Sequence, residues 1–121
     1  MARITVLGGS GYAGGAIVAE AAKRGHEVTS VSRTAVAAPV SPLGDMAGKL
    51  EGVVEDLIGR LAGGATRLGY VGGASSLLVS EGGPRLWDVS QEHIPADVKP
   101  EIETGLRAFE LVKASPATLD W

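Results

Sequence analysis

Gly8-Gly9-Ser10-Gly11-Tyr12-Ala13-Gly14-Gly15 is the stretch of this chain best suited to chemistry. Gly8, Gly11 and Gly14 form a Gly-x-x-Gly-x-x-Gly spacing, the kind that brings bare main chain against an anion. One glycine makes a tight turn, another lets the backbone approach a pyrophosphate, and the last lets a helix close on a strand. A helix starting there aims its unpaired N–H groups and positive dipole end at the phosphate. Gly8, Gly9, Ser10, Gly11, Tyr12, Ala13 and Gly14 are thus the expected phosphate contacts of a dinucleotide. About twenty residues after the glycines, a domain selective for a free ribose diol carries an acid. This chain has Ser32-Arg33-Thr34. A guanidinium flanked by two hydroxyls suits a 2′-phosphate, so NADP(H) is expected over NAD(H). The blander alternatives are a turn that only packs a helix on a strand, and an arginine that is only solvated.

Other chemistries find less support. There are no cysteines, which excludes disulfides and thiolate metal sites. The two histidines, His26 and His93, have no ligand-spaced companion, and no metal site is expected. His93 stands between Glu92 and Ile94 in a loop, with no serine or aspartate assignable as a triad partner. Ser75 and Ser76 are expected to be turn serines whose hydroxyls are satisfied locally. Glu51, Glu55 and Asp56 are expected on the solvated side of a helix. No catalytic residue can be assigned.

The glycine run must be positioned by what flanks it. Arg3 to Leu7 is a short buried strand stopped by Gly8-Gly9, and Tyr12 to Lys23 is helical. Gly25 sits where a left-handed cap belongs, after Lys23 and Arg24, and Glu27 to Ser32 is a second strand. Strand, glycine turn, helix and strand within about thirty residues is what the dinucleotide fingerprint requires. Residues 34–42 form a loop, and Asp45 is a candidate cap for the next helix. Leu50, Val53, Val54, Leu57, Ile58 and Leu61 make a helical apolar stripe, stopped by Gly63-Gly64. Arg67 to Gly72 is expected as a third strand, and Glu81 to Pro95 as a loop partly folded back through Leu86, Trp87 and Val89. A last helix runs from about Pro100 to Ala114, with Ile102, Leu106 and Phe109 on one face.

The class follows: α/β, a small Rossmann-like three-layer domain with a short parallel sheet of order 2-1-3 and flanking helices. The 121 residues suffice for one domain, 1–121. Aromatics are only 4% of the chain, so the core must rest on Val, Leu, Ile and Ala. A net charge of −3 without a Lys/Arg block argues against a nucleic-acid partner. No apolar run approaches a signal peptide or membrane span, so a cytoplasmic protein without a membrane partner is expected.

The residues 3–14, Arg-Ile-Thr-Val-Leu-Gly-Gly-Ser-Gly-Tyr-Ala-Gly, followed by Arg24-Gly25-His26-Glu27-Val28-Thr29-Ser30-Val31-Ser32-Arg33, resemble the start of an atypical short-chain dehydrogenase/reductase. Within that superfamily they are most similar to NmrA-like and flavin-reductase-like NAD(P)H-binding proteins. The segments 41–46, 67–74 and 82–86 resemble later parts of the family. Two departures stand beside this. Only seven residues separate Arg33 from Ser41, where the family carries its third and fourth strands, so the chain is expected to be shortened internally and at its C-terminus. The larger superfamily's Tyr-x-x-x-Lys pair is also absent, since Ala16 and Ala74 follow Tyr12 and Tyr70 at that spacing. The resemblance implies an NAD(P)H-dependent oxidoreductase that passes hydride from NADPH to a small-molecule acceptor. The alternatives are an NADP(H)-binding sensor without catalysis, or a remnant with weak or no cofactor binding. The bare sheet edge that the shortening leaves implies a homo-oligomer.

Overall fold

The computed structural model describes residues 1–31 and 48–121. They belong to two compact units, Met1–Ser41 and Pro42–Trp121. The first unit is a strand–helix–strand, β1 (Arg3–Leu7), α1 (Tyr12–Lys23) and β2 (Glu27–Val31). Its bounds agree with the sequence reading as far as Val31, and Ser32 lies outside the described residues. The strands are parallel, with Arg3 opposite Glu27 and Leu7 opposite Val31. Because side chains alternate along a strand, Ile4, Val6, Val28 and Ser30 share one face. Val6 there and Ala21 of α1 are buried. Arg3, Thr5 and Leu7 on the other face are exposed, as are Glu27, Thr29 and Val31.

The return from α1 to β2 is made by Gly25, whose φ of +78° is costly for any residue with a Cβ. Gly25 N–H donates to the Ala22 carbonyl at 2.9 Å, and His26 N–H to the Ala21 carbonyl at 3.1 Å. This paired bonding satisfies two of the helix's orphan carbonyls. Glu27 N–H then donates to the Ala2 carbonyl at 3.0 Å, and Ala2 N–H to His26 Nδ1 at 3.2 Å, which starts the ladder in register.

The second unit contains α2 (Leu50–Leu61), α3 (Leu86–Ser90) and α4 (Lys99–Lys113). α2 packs on α4, burying Leu50 and Val54 of one and Leu106, Ala108 and Val112 of the other. The rest of the expected α2 stripe is only half-buried, as are Ile102 and Phe109 of α4. The buried polar residue of α4, Thr104, is fully satisfied. Its hydroxyl donates to the Pro100 carbonyl at 2.8 Å and accepts from Gly48 N–H at 3.0 Å. The expected cap Asp45 lies outside the described residues. α3 was not expected as a helix. It forms because Asp88 accepts the Arg85 N–H at 3.1 Å, closing the first turn, and because Trp87 is buried.

The third strand expected at Arg67 to Gly72 is not formed, and the sheet has two strands, β1 and β2, among the described residues. Its groups are engaged elsewhere. Leu68 N–H donates to the Asp120 carbonyl at 2.8 Å, and Arg67 pairs with the Asp120 carboxylate at 2.9 Å. The Tyr70 ring stacks on Phe109 at 6.1 Å, and Trp121 meets Phe109 edge-on at 6.4 Å. Gly69 and Gly72 add no side chain that would favour a strand. The class is nevertheless α/β, with a short parallel sheet and flanking helices. No helix of the described residues is long and apolar enough to cross a membrane.

Candidate functional site

The glycine run is the turn from β1 into α1, and its geometry explains which glycines it needs. Gly8 leaves the strand with a φ of +79°, in the left-handed region. Its N–H donates to the Val31 carbonyl at 2.7 Å, which ties the turn to the end of β2. Gly11 N–H closes the turn on the Gly8 carbonyl at 2.9 Å, and Gly15 N–H opens the helix on the Gly11 carbonyl at 2.7 Å. Gly11 caps α1 with extended backbone and no side-chain hydrogen bond. The amides of Tyr12, Ala13 and Gly14 therefore belong to the first turn, where a helix has no carbonyl of its own to offer them. No acid stands in that turn, so the positive end of the helix dipole is unopposed by an adjacent carboxylate.

Space fixes Gly14 and crowds Gly9. A Cβ on Gly14 would fall on the Gly8 carbonyl oxygen, 2.8 Å from the Gly8 carbonyl carbon and 3.0 Å from Gly9 Cα. A Cβ on Gly9 would fall on the Ser30 hydroxyl oxygen, 3.0 Å from Ser30 Cβ and 3.1 Å from a Val18 methyl. At Gly15 the nearest atom is 3.6 Å away, ordinary contact, so that glycine is not required. The cradle is built of main chain, as a diphosphate needs. Gly8 and Gly9 are buried, whereas Ser10, Ala13 and Tyr12 are exposed, Tyr12 completely. Ser32, Arg33 and Thr34 lie outside the described residues. Ser30 and Val18 were not singled out from the sequence, because only the strand register and the return of the helix bring them against Gly9.

The remaining candidates fall out as follows. Burial pushes the Tyr70 hydroxyl up, away from the lowered value a phenol catalyst needs, and it donates to the Gly105 carbonyl at 3.4 Å. Ser76 donates to the Gly73 carbonyl at 2.8 Å, a local turn bond as expected. His93 is exposed in a short turn, Gln91–His93. Among the described residues no group of histidines and carboxylates is placed to hold a metal. Glu51 departs from the solvated face expected of it. It accepts from Arg107 at 2.7 Å, joining α2 to α4. Burial pushes its carboxyl up, but the Arg107 hydrogen bond and charge, with its own backbone amide, outweigh this and hold it below the ordinary value.

Two open grooves mark the surface. One, of about 600 Å³, lies along α2 and α4, where Arg107 and Arg85 are each already paired with carboxylates. The other, about 440 Å³, is a shallow apolar strip beside Ile4, Ala16 and Ile17. Neither includes a residue of the glycine turn, which is consistent with a site made of backbone donors rather than an enclosed cavity.

No protein-family model matches the chain, and no curated protein does. Among solved structures, the chain is similar to a candidate NADH-flavin reductase from Streptococcus pneumoniae TIGR4. The two are 28% identical with a TM-score of 0.77, over all of this chain and 69% of that one. The fold is Rossmann-like. The likeness covers both units.

Proposed function

We propose that this chain is an NAD(P)H-dependent oxidoreductase of the atypical short-chain dehydrogenase/reductase type. The observation that carries the reading is the β1–glycine turn–α1 junction. Gly8 is left-handed there, a Cβ on Gly14 would meet the Gly8 backbone, and Gly11 caps α1 with bare main chain. Such a turn suits an anion, and a diphosphate in particular where it joins a parallel strand pair. The similarity to a candidate NADH-flavin reductase supports a nicotinamide dinucleotide as its ligand and a flavin as its acceptor.

In this reading Gly8 to Gly14 hold the diphosphate through backbone N–H groups, and Ser32, Arg33 and Thr34 meet the 2′-phosphate of NADP(H). When bound, the cofactor supplies hydride. The chain contributes orientation and charge complementarity more than acid–base groups. Neither tyrosine serves as a proton donor: Tyr70 is turned to Gly105, and no lysine follows Tyr12 at the needed spacing. The same absence favours, as a second reading, a sensor that binds NADP(H) without turnover.

Titration with NADPH and NADH, followed by turnover with FMN or riboflavin as acceptor, tests both. Saturable NADPH binding with flavin-dependent oxidation is expected. Binding without oxidation selects the sensor, and no binding of either dinucleotide overturns both.

A further inference from the structure

We infer that Ser30 is a positioning residue of the phosphate turn, its small side chain setting how deeply Gly9 seats against β2 and α1. The inference rests on the nucleotide-binding reading above for its consequence, not for its geometry. Ser30 stands opposite Val6 in the parallel ladder and is itself exposed, so only its contact side meets the turn. Its hydroxyl oxygen occupies the place a Cβ of Gly9 would take, and its own Cβ is 3.0 Å from that point. Val18 closes the other side at 3.1 Å, so Gly9 is held between a strand residue and a helix residue. One residue away on each chain segment, the Gly8 N–H bonds to the Val31 carbonyl at 2.7 Å. Any outward push at position 30 therefore passes into a turn already pinned at both ends.

The residue type fits that role. β2 is Glu-Val-Thr-Ser-Val, in which Val28, Thr29 and Val31 are strong strand formers and Ser30 is not. A strand selected only for stability would carry a β-branched residue at this position, over the buried Val6. The extra methyls of such a residue would press on Gly9 Cα and lift the amides that meet the diphosphate. Backbone amides displaced in this way meet the diphosphate at poorer hydrogen-bond geometry, which weakens binding.

Ser30→Val and Ser30→Ala, compared with the wild type, test this. Ser30→Val is expected to weaken NADPH binding about tenfold while the protein stays folded by circular dichroism. Ser30→Ala, which adds no bulk, is expected to keep the wild-type affinity. In a ¹H–¹⁵N spectrum of the free protein, the amides of Gly8 to Gly11 should move in Ser30→Val and stay in Ser30→Ala. Wild-type affinity in Ser30→Val, an equal loss in Ser30→Ala, or unmoved amides in Ser30→Val would each overturn the inference. If the wild type binds no dinucleotide, the proposed function fails on its own, and the amide positions still decide whether Ser30 gauges the turn.

Discussion

A methyl group has opposite consequences at Gly11 and Gly14. Gly11 has φ −80° and ψ 174°, extended backbone that any residue adopts. Gly11→Val is therefore expected to leave a folded protein while filling the space a pyrophosphate needs, so NADPH binding is lost. Circular dichroism and a cofactor titration on one sample check this, and normal binding would place the phosphate site elsewhere. Gly14→Ala should do the reverse of what helix propensity suggests. Alanine in a helix ordinarily gains about 1 kcal/mol over glycine. Here the new Cβ meets the backbone of Gly8 rather than a movable side chain, and forced overpacking costs about 1–3 kcal/mol. The overlap wins, and a lowered melting temperature is expected. We propose that Arg33 carries the cofactor preference. Arg33→Ala should cost about 1–3 kcal/mol of NADPH binding and leave NADH nearly unchanged, as for a charge-assisted contact to the 2′-phosphate. Equal losses for the two cofactors would refute that role.

Between elements, the Glu51–Arg107 pair is the contact whose strength depends on pH. The folded state lowers the Glu51 pKa, because the contact with Arg107 outweighs the opposing effect of burial. The pair's stability is thus fully present above the ordinary carboxylate value and is lost as pH falls through the lowered one. Chemical denaturation at pH 7 and at pH 3 should show the wild type losing more stability on acidification than Glu51→Gln. Identical pH dependence would mean that the pair adds nothing to α2–α4 packing. The elements themselves were unequally legible. α1, α2 and α4 were visible because each carries a local signal of turn, stripe or cap. α3 was not, since five residues span little more than one turn, too few to repeat a stripe, and depend on the burial of Trp87. Residues 67–72 looked like a strand because Leu68, Tyr70 and Val71 have the composition of one. Their actual partners, Gly105, Phe109 and Asp120, lie 35 to 53 residues away in the chain, beyond any local pattern.

At the scale of the whole molecule, the sheet edge bears on assembly. Among the described residues each of the two strands has a neighbour on one side, and Leu7 and Val31 are 42% and 43% exposed. Bare parallel edges invite pairing between chains, and we propose that this chain is a homo-oligomer that hides them. Sedimentation at micromolar concentration is expected to show a species larger than the monomer. A stable monomer with one cooperative unfolding transition would show that the sheet suffices as it is. By itself the sequence determined the strand–turn–helix–strand unit. Every signal for that unit, from the glycine spacing to the Gly25 cap, acts within a few residues of the backbone it shapes. Tertiary structure alone decided three things: which glycines are indispensable, that Glu51 is paired, and that residues 67–72 are not a strand. Each depends on atoms brought together by packing, such as Ser30 against Gly9 or Asp120 against Leu68, and neither residue type nor spacing encodes those meetings.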